Sequence, residues 1–230
     1  MKIVPIIPAL NPDNKLIKLV NELKDNYQKI IIIDDGSEEK EIFDKLKKDK
    51  SCIVLTHEIN KGKGEALKNA FRYYLDNLSN KYLGVICLDS DGQHLPSDAN
   101  KMSELLVKND RFILGTRLFN TKSTPLRNKL GNRITSRVFK WIYHVYIKDT
   151  QTGLRAIPNR LIKPLMKVDG SRFEYELNVL IKLVKMNEII EECDIKTVYL
   201  KNSNKKSNFK VLRDSFMIYK IMFQGKKKDL

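Results

Sequence analysis

The sequence predicts an α/β protein in which a mainly parallel β-sheet is covered by helices. Short runs of β-branched residues alternate with amphipathic segments of helical length through the first half of the chain. The runs are almost continuously apolar, as in Ile30-Ile31-Ile32-Ile33, which is typical of strands buried on both faces. The composition, 42% hydrophobic with only 10 glycines and 7 prolines, is that of a globular domain with a core.

The first half of the chain provides five strands and three helix starts. The predicted strands cover residues 2–7, 29–33, 52–56, 82–88 and 111–114. Asn11 is placed to cap a first helix, because Pro12 then occupies the first helical position. A second helix is predicted over residues 64–75, and a third begins at Ser97. This order of elements is that of βαβ units, which build a parallel sheet.

Residues 126–146 are predicted to form a basic amphipathic helix. One stripe of this helix carries the basic side chains Lys129, Arg133, Arg137, Lys140 and His144. The neighbouring stripe carries the apolar side chains Leu130, Ile134, Val138, Trp141, Ile142 and Val145. Such a helix can lie in the headgroup layer of a membrane. The alternative is an ordinary helix that packs on the core and exposes its charged face to solvent.

We expect a main α/β domain over residues 1–200 and a basic amphipathic appendage over residues 201–230. The appendage keeps helical spacing between its apolar residues Phe209, Leu212, Phe216, Tyr219 and Phe223. Basic residues surround them, including the run Lys226-Lys227-Lys228. This appendage is predicted to dock on a membrane or on a partner protein.

The net charge of the chain restricts its partners. The sequence has 43 Lys and Arg against 28 Asp and Glu, a formal net charge of +15. Such an excess predicts an anionic partner, which leaves nucleic acid, an anionic membrane surface and a phosphorylated substrate open. No apolar run approaches the roughly 20 residues of a membrane span, and the first residues do not resemble a signal peptide, so we expect a cytoplasmic protein.

Polar motifs follow the predicted strands. They are Pro8-Ala9-Leu10-Asn11, Asp34-Asp35-Gly36-Ser37, Asn60-Lys61-Gly62-Lys63-Gly64, Asp89-Ser90-Asp91-Gly92-Gln93 and Gly115-Thr116-Arg117. The carboxyl ends of parallel strands share one edge of a sheet, and ligands of open α/β sheets bind there. The motifs therefore predict one site that contains both carboxylates and cations.

Asp89, Asp91 and Gln93 predict a site for Mg²⁺ or Mn²⁺, because carboxylate and amide oxygens are the ligands that these ions prefer. The alternative is a polar turn, and the position directly after an apolar strand favours the metal site. For the motif around Asp34 the alternative is a strand-to-helix turn with a cap. For the motif around Lys61 it is a solvated turn, since the segment matches neither GxxxxGK[ST] nor GxGxxG.

Together with Asp149-Thr150-Gln151-Thr152-Gly153, these motifs resemble the ordered motifs of glycosyltransferase family 2, in its branch similar to dolichol-phosphate mannose synthase. The resemblance runs from about residue 3 to about residue 200. It implies a GT-A fold with a Rossmann-like sheet, a catalytic domain over residues 1–200 and a nucleoside diphosphate sugar as the donor. It also implies a divalent metal and inversion at the anomeric carbon.

The resemblance assigns roles to residues by position. It implies that Asp35 contacts the nucleoside, that Asp89, Asp91 and Gln93 hold the metal and the diphosphate, and that Arg117 meets a phosphate of the acceptor or the donor. The catalytic candidates are Asp91, Asp149 and Arg117. The candidates for binding the nucleotide sugar are Pro8, Ala9, Asn11, Asp34, Asp35, Lys61, Lys63, Gly64, Asp89 and Ser90.

Two acceptor classes remain open. A polyprenyl phosphate is already ionised at neutral pH and needs cations to hold it, for which the candidates are Arg117, Arg127 and Arg133. A hydroxyl group of a glycan, glycoprotein or cell-wall polymer needs a carboxylate base, for which the candidates are Asp149, Glu174 and Glu176. We predict the polyprenyl phosphate, a peripheral location on the inner face of an anionic membrane, and contact with a membrane partner protein.

Two other functions have sequence features in their favour. A nucleotidyltransferase shares the sheet and the metal site, and it differs by releasing pyrophosphate from a nucleoside triphosphate. A nucleic-acid-binding protein accounts for the net charge. The latter is disfavoured because the chain carries no recognised nucleic-acid-binding motif and the predicted cleft is acidic.

Overall fold

The structure is a computed structural model that describes residues 1–117, 126–196 and 222, with the side chains of residues 126–130 excluded. The strands in this part of the chain are β1 (Ile3–Ala9), β2 (Ile30–Asp35), β3 (Cys52–His57), β4 (Gly84–Cys87), β5 (Phe112–Arg117), β6 (Arg155–Pro158) and β7 (Ile190–Ile195). The helices are α1 (Lys15–Leu23), α2 (Glu41–Lys47), α3 (Lys63–Asn77), α4 (Pro96–Asn109), α5 (Leu126–Tyr143), α6 (Asn159–Met166) and α7 (Glu174–Lys185).

The strands form one sheet in the order β3-β2-β1-β4-β6-β5-β7. Strand β6 is antiparallel to both of its neighbours, β4 and β5, whereas the other described pairs are parallel. The predicted α/β class with a mainly parallel sheet is confirmed. The carboxyl ends of β1 to β5 consequently lie on one edge, where the predicted motifs occur.

Helices cover both faces of the sheet. Alternate residues of β2 point to opposite faces, so Ile31 and Ile33 pack in one hydrophobic cluster while Ile30 and Ile32 pack in the other. The first cluster contains buried residues of α3, α5, α6 and α7, and the second contains those of α1, α2 and α4. The apolar runs of β1, β2, β4 and β5 therefore mark strands buried on both faces, as predicted, whereas β3 at the edge of the sheet is only partly buried.

The five predicted strands are present, with shifted ends. Strand β1 continues to Ala9, and β5 continues to Arg117, so both strands include residues of the motifs that were predicted to follow them. Strands β6 and β7 were not predicted. β6 has only four residues and includes Arg155 and Pro158, and the sequence of β7, IEECDI, is mostly charged. Neither shows the apolar run that identified the other strands.

Two of the predicted helix starts are wrong. Helix α1 begins at Lys15 rather than after Asn11, because Asn11 has a left-handed backbone (φ 47°) and hydrogen-bonds to the turn that follows β2. Helix α4 begins at Pro96, so Ser97 lies in its first turn instead of capping it. The second predicted helix is found as α3, beginning one residue earlier and ending two residues later than predicted.

Helix α5 confirms the predicted amphipathic helix and ends at Tyr143. Phe139 and Ile142 are buried in the core, whereas the side chain of Trp141 is 67% exposed. The helix therefore packs on the core with one part of its apolar surface and leaves another part outside. Of the predicted appendage, only Met222 lies within the described residues, and its carbonyl accepts a hydrogen bond from the Tyr143 hydroxyl at 2.8 Å. None of the helices in the described part has the length and apolar content needed to span a membrane.

The packing of α3 on the sheet contributes to the stability of the fold. Phe71 of α3 is fully buried in the first cluster. We expect Phe71→Ala to lower the free energy of unfolding by about 3–5 kcal/mol, because the substitution removes buried apolar surface and leaves a cavity. Urea denaturation measures this change. Leu83→Ala is the matched control, because Leu83 is 44% exposed, and its effect should stay within about 0.5 kcal/mol. Equal losses in the two variants would contradict the described core.

Candidate active site at the carboxyl edge of the sheet

Asp35, at the end of β2, holds the loop that precedes α3. It is buried, and its carboxylate accepts hydrogen bonds from the backbone N–H groups of Lys61 (3.0 Å) and Gly62 (2.8 Å). The His57 imidazole lies on the same carboxylate, with Nδ1 2.8 Å from Oδ1, and Nε2 lies 3.1 Å from the Asn69 amide nitrogen. Because that amide nitrogen is a donor, Nε2 accepts and Nδ1 donates to Asp35. No motif in the sequence indicates this role for His57 and Asn69.

Asp34 and Asn11 stabilise the turn after β2. The fully buried Asp34 accepts a hydrogen bond from Ser37 N at 2.8 Å and pairs with Lys40 Nζ at 2.6 Å. Asn11 N donates to Ser37 Oγ, and Asn11 Oδ1 accepts from Glu38 N, both at 2.9 Å. The alternative interpretation of this motif, a strand-to-helix turn, therefore describes Asp34. The Asn11 side chain connects the end of β1 to this turn, whereas the contacts of Asp34 lie within the turn itself.

Lys63 joins three segments of the chain at the centre of the edge. Its side chain is only 14% exposed, and its ammonium group lies 2.6 Å from Asp89 Oδ1 and 2.9 Å from Glu176 Oε2. Burial alone would lower the pKa of Lys63, but the two carboxylates raise it above its usual value. Lys63 thus remains a cation that links α3, the end of β4 and α7.

Asp89 is compensated on both of its oxygens. Besides the Lys63 contact, its Oδ2 lies 3.1 Å from Nε2 of the buried His94. Burial would raise the pKa of Asp89, but Lys63 and His94 hold it well below its usual range. Asp89 is therefore ionised throughout the neutral pH range.

Asp91 is the exposed carboxylate of the edge. The structure shows one hydrogen bond to it, from Gln93 N to Oδ1 at 2.9 Å. Partial desolvation and the negative charge of Asp89 raise the pKa of Asp91. A carboxylate with a second carboxylate beside it gains from a cation, and the two carboxylates supply the oxygen ligands that Mg²⁺ and Mn²⁺ prefer.

The carboxylates therefore fit a divalent ion in their chemistry, with Asp91 as the accessible ligand. Within residues 1–117 and 126–196, no three His, Cys, Asp or Glu side chains are grouped in a way that could hold a metal ion. A bound ion would thus need further oxygen ligands, such as water or phosphate. Gln93, the third predicted metal ligand, takes part in the described contacts through its backbone N–H.

Gly153 brings the segment before β6 against Asp89. A Cβ atom at this position would lie 2.4 Å from Asp89 Oδ2, which is closer than any side-chain contact allows. The motif at 149–153 thus reaches the same edge as the motif at 89–93, although some 60 residues separate them. Only glycine permits this approach.

Arg117 and Asp149, two of the predicted catalytic residues, form a bidentate ion pair. Arg117 Nε lies 2.6 Å from Asp149 Oδ2, and the Arg117 NH2 group lies 2.9 Å from Oδ1. Asp149 is completely buried, so its charge is compensated by this guanidinium. The pair fixes the end of β5 to the segment that leads to Gly153.

Both candidate bases on α7 have structural partners. Glu174 Oε1 accepts hydrogen bonds from the backbone N–H groups of Ser171 (3.0 Å) and Arg172 (3.1 Å), which ties the first residue of the helix to the segment before it. Glu176 is buried and pairs with Lys63, and its backbone carbonyl accepts a hydrogen bond from the buried Arg155. Arg155, on β6, was not predicted, because a cation inside a four-residue strand carries no sequence signal of its own.

The other predicted site residues are distributed around this centre. Pro8 and Ala9 lie at the end of β1 and pair with Ile33 and Asp34 of β2. Ser90 lies between the two carboxylates of the 89–93 motif. A Cβ atom on Gly64 would lie 2.7 Å from Tyr175 Cβ, so this glycine permits close packing of α3 on α7. Arg133 is exposed on α5, and the side chain of Arg127 lies outside the described residues.

Comparisons with known proteins match the chain to one family. The family model described as glycosyl transferase family 2 matches residues 6–162. A protein of Methanococcus voltae named UDP-N-acetylglucosamine--dolichyl-phosphate N-acetylglucosaminyltransferase is 32% identical over 224 residues, which cover 86% of each chain. Glycosyltransferase AglJ of Haloferax volcanii is 26% identical over 178 residues, which cover 76% of this chain and 56% of that protein.

A solved structure has the same fold. Glucosyl-3-phosphoglycerate synthase from Mycobacterium tuberculosis, in a complex with Mn²⁺, uridine diphosphate and phosphoglyceric acid, superposes with a TM-score of 0.75. The alignment covers 97% of this chain and 78% of that chain at 13% sequence identity. The likeness confirms the expected GT-A type of sheet flanked by helices.

The close approach of Gly153 to Asp89 gives a test of the site geometry. We expect Gly153→Ala to lower the free energy of unfolding by about 1–3 kcal/mol, because the added methyl group overlaps the Asp89 carboxylate. Urea denaturation measures the change. The matched control is Gly131→Ala on α5, where a Cβ atom meets nothing within 4 Å. This substitution should raise the free energy of unfolding by up to about 1 kcal/mol, because alanine favours a helix more than glycine does. An unchanged free energy of unfolding in Gly153→Ala would show that the segment does not pack on Asp89.

Proposed function

The chain belongs to glycosyl transferase family 2 and is a glycosyltransferase, and we propose that it transfers a sugar from a nucleoside diphosphate sugar to a polyprenyl phosphate with inversion at the anomeric carbon. The choice of acceptor rests on one observation, which is that both α7 carboxylates already have partners within the protein. Glu174 accepts two backbone hydrogen bonds from the segment before α7, and the buried Glu176 pairs with Lys63, so neither is placed as the base that a hydroxyl acceptor needs. A phosphate acceptor needs no such base.

The name of the Methanococcus voltae relative supports both substrates. That protein is named for a UDP-linked N-acetylglucosamine donor and a dolichyl phosphate acceptor, and the identity extends over most of both chains. We infer that UDP-N-acetylglucosamine is the first donor to test for this chain. The family membership leaves no reason to retain the nucleotidyltransferase and nucleic-acid-binding alternatives.

The reaction is a single displacement. An oxygen of the acceptor phosphate forms a bond to the anomeric carbon while the bond between that carbon and the donor diphosphate breaks, and the electron pair leaves with the diphosphate. Mg²⁺ or Mn²⁺, held by Asp89 and Asp91, would stabilise the negative charge of the departing diphosphate as a Lewis acid. Lys63 and His94 keep Asp89 ionised for this role.

The predicted cations have distinct places in this proposal. Arg117 lies at the end of β5, where its guanidinium is oriented by Asp149, and we assign it to the acceptor phosphate. Arg127 and Arg133, which both belong to α5, are further candidates for the same phosphate. Asp35 acts by holding the loop at residues 61–62, which places Lys63 beside Asp89.

The exposed face of α5 supports a peripheral location on a membrane. Arg137, Lys140, Trp141 and His144 line a shallow depression on this helix. Lys140 Nζ lies 5.8 Å from the ring centroid of the exposed Tyr146. Aromatic rings beside cations suit the headgroup layer of an anionic leaflet, where the rings face the interface and the cations face phosphate. We propose that this face rests on the inner leaflet, where the acceptor lipid resides.

Product formation tests the proposed function. With UDP-N-acetylglucosamine, Mn²⁺ and a short polyprenyl phosphate, we expect a glycosylated polyprenyl phosphate and free UDP, detected by mass spectrometry. Asp91→Asn should reduce this turnover by about 100-fold or more without loss of thermal stability, because the amide carries no charge to hold the ion.

Asp76→Asn is the matched control, since Asp76 is exposed near the far end of α3, and it should retain full turnover. Transfer that continues undiminished in Asp91→Asn or in excess chelator would contradict the metal-assisted reaction. The absence of lipid product with every nucleotide sugar would contradict the acceptor.

A pair of variants separates the two acceptor classes. Arg117→Ala should reduce transfer to polyprenyl phosphate by about 100-fold, because the acceptor phosphate then faces the donor diphosphate without this cation. Arg117→Lys, which keeps the charge and loses the bidentate geometry, should retain part of the activity. Glu174→Gln should change turnover by less than about threefold, since the amide oxygen still accepts the two backbone hydrogen bonds. An inactive Glu174→Gln beside an active Arg117→Ala would indicate a hydroxyl acceptor.

Vesicle binding tests the α5 face. We expect the protein to cosediment with anionic vesicles at low salt and to be released as the salt concentration rises. Arg137→Ala with Lys140→Ala should weaken binding by about 30-fold, since each cation contributes on the order of 1 kcal/mol near an anionic leaflet. Lys18→Ala with Lys45→Ala removes the same charge from the opposite face of the sheet and serves as the control. Equal effects of the two double variants would contradict a specific face.

A further inference from the structure

The segment before α7 packs directly on the loop that carries Lys63. A Cβ atom on Gly62 would lie 2.5 Å from Ser171 O and 2.6 Å from Arg172 Cγ. Glu65 N donates a hydrogen bond to Ser171 O at 3.1 Å. The side-chain stem of Arg172 therefore lies against the Gly62 backbone, beside the centre of the candidate active site.

This segment is held rigidly. Lys68 Nζ donates a hydrogen bond to Gly170 O at 2.8 Å, and Glu174 Oε1 accepts hydrogen bonds from the N–H groups of Ser171 and Arg172. Gly170 has a φ of 114° and approaches the Tyr175 backbone so closely that a Cβ atom would lie 2.9 Å from it. A segment fixed in this way presents its side chains in defined positions, as a binding site requires.

Two side chains of the segment point away from the core. Arg172 is exposed, and Phe173 has 52% of its surface exposed. The Phe173 ring centroid lies 6.0 Å from Lys63 Nζ, which itself contacts Asp89. The exposed ring contributes little to the core, and it borders a charged site. An apolar group of a ligand that covered it would remove apolar surface from water, which favours binding.

We propose that Arg172 and Phe173 bind the acceptor, with the Arg172 guanidinium on its phosphate and the Phe173 ring on the first isoprene units. The inference rests on the proposed function and adds two acceptor-contacting residues to it. A guanidinium next to a hydrocarbon ring matches a ligand whose charged group is joined directly to an apolar chain. The donor fits less well, because polar groups flank its diphosphate on both sides.

Steady-state kinetics of the full chain tests this assignment. At saturating nucleotide sugar, Arg172→Ala should raise the KM for a short polyprenyl phosphate by about 10- to 100-fold, and Phe173→Ala should raise it by about 10-fold. The KM for the nucleotide sugar should change by less than about twofold. Phe173→Tyr, which keeps the ring, and Arg172→Lys, which keeps the charge, should restore part of the affinity.

Two control substitutions lie at the opposite end of the sheet. Arg111→Ala and Leu83→Ala remove an exposed cation and an exposed apolar side chain there, and both should leave the acceptor KM unchanged. Inhibition by inorganic phosphate gives an independent measurement. It should weaken in Arg172→Ala and persist in Phe173→Ala, because only the guanidinium is assigned to phosphate.

The outcomes distinguish this inference from the function on which it rests. A wild-type protein that makes no glycolipid would overturn the proposed function itself. A wild-type protein that makes glycolipid, beside Arg172 and Phe173 variants with unchanged acceptor KM, would overturn only the inference. An increase in the KM for the nucleotide sugar in place of the acceptor KM would assign the two side chains to the donor and would also overturn it.

Discussion

The ion contacts of Lys63 are the interaction on which the candidate active site depends. One ammonium group lies between a carboxylate that follows β4 and a carboxylate on α7, so it connects three segments that are distant in sequence. Without that cation the two carboxylates would be partly buried at the edge with less compensation, which is strongly unfavourable. The chain positions Lys63 through Asp35, which holds the preceding loop by two backbone N–H groups. The edge that carries the candidate active site is therefore constructed from hydrogen bonds and ion pairs, on a sheet that hydrophobic packing stabilises.

The two carboxylates of the 89–93 motif differ in their electrostatic surroundings. Asp89 is compensated by Lys63 and His94, so its pKa is low and its charge is fixed. Asp91 is exposed, and partial desolvation together with the charge of Asp89 raises its pKa, so it is the group that gains most from an added cation. A protein with a formal net charge of +15 thus keeps a local acidic site while its exposed helix α5 remains basic. This arrangement suits a donor that binds with a divalent ion and an acceptor that resides in an anionic membrane.

The sequence predicted the fold well where a single segment carries the signal. The apolar runs identified five parallel strands, because strands buried on both faces need continuous apolar residues. Strands β6 and β7 lack such runs and were not found, since their pairing depends on neighbours far away in the sequence. The helix start at Asn11 and Pro12 had a favourable local signal, but contacts of Asn11 with Ser37 and Glu38 override it.

The sequence also located the motifs of the site, but not the partners of their side chains. Asp35 was predicted to contact the nucleoside, and in the structure its carboxylate binds a loop more than 25 residues away. His57, Arg155 and Gly153 acquire their roles only when β3, β6 and the 149–153 segment meet at the edge. Such roles depend on tertiary contacts, which a local pattern does not encode.

The central claim is that this edge binds a nucleoside diphosphate together with a divalent cation. A thermal-shift titration of the protein with UDP, performed with Mn²⁺ and again in excess chelator, tests it most directly. With Mn²⁺ present, UDP at about 100 times its Kd should stabilise the fold by about 2.7 kcal/mol through mass action. We expect the shift to disappear largely in the chelator, because Asp89 and Asp91 then face the diphosphate without the ion. An equal shift under both conditions would contradict it.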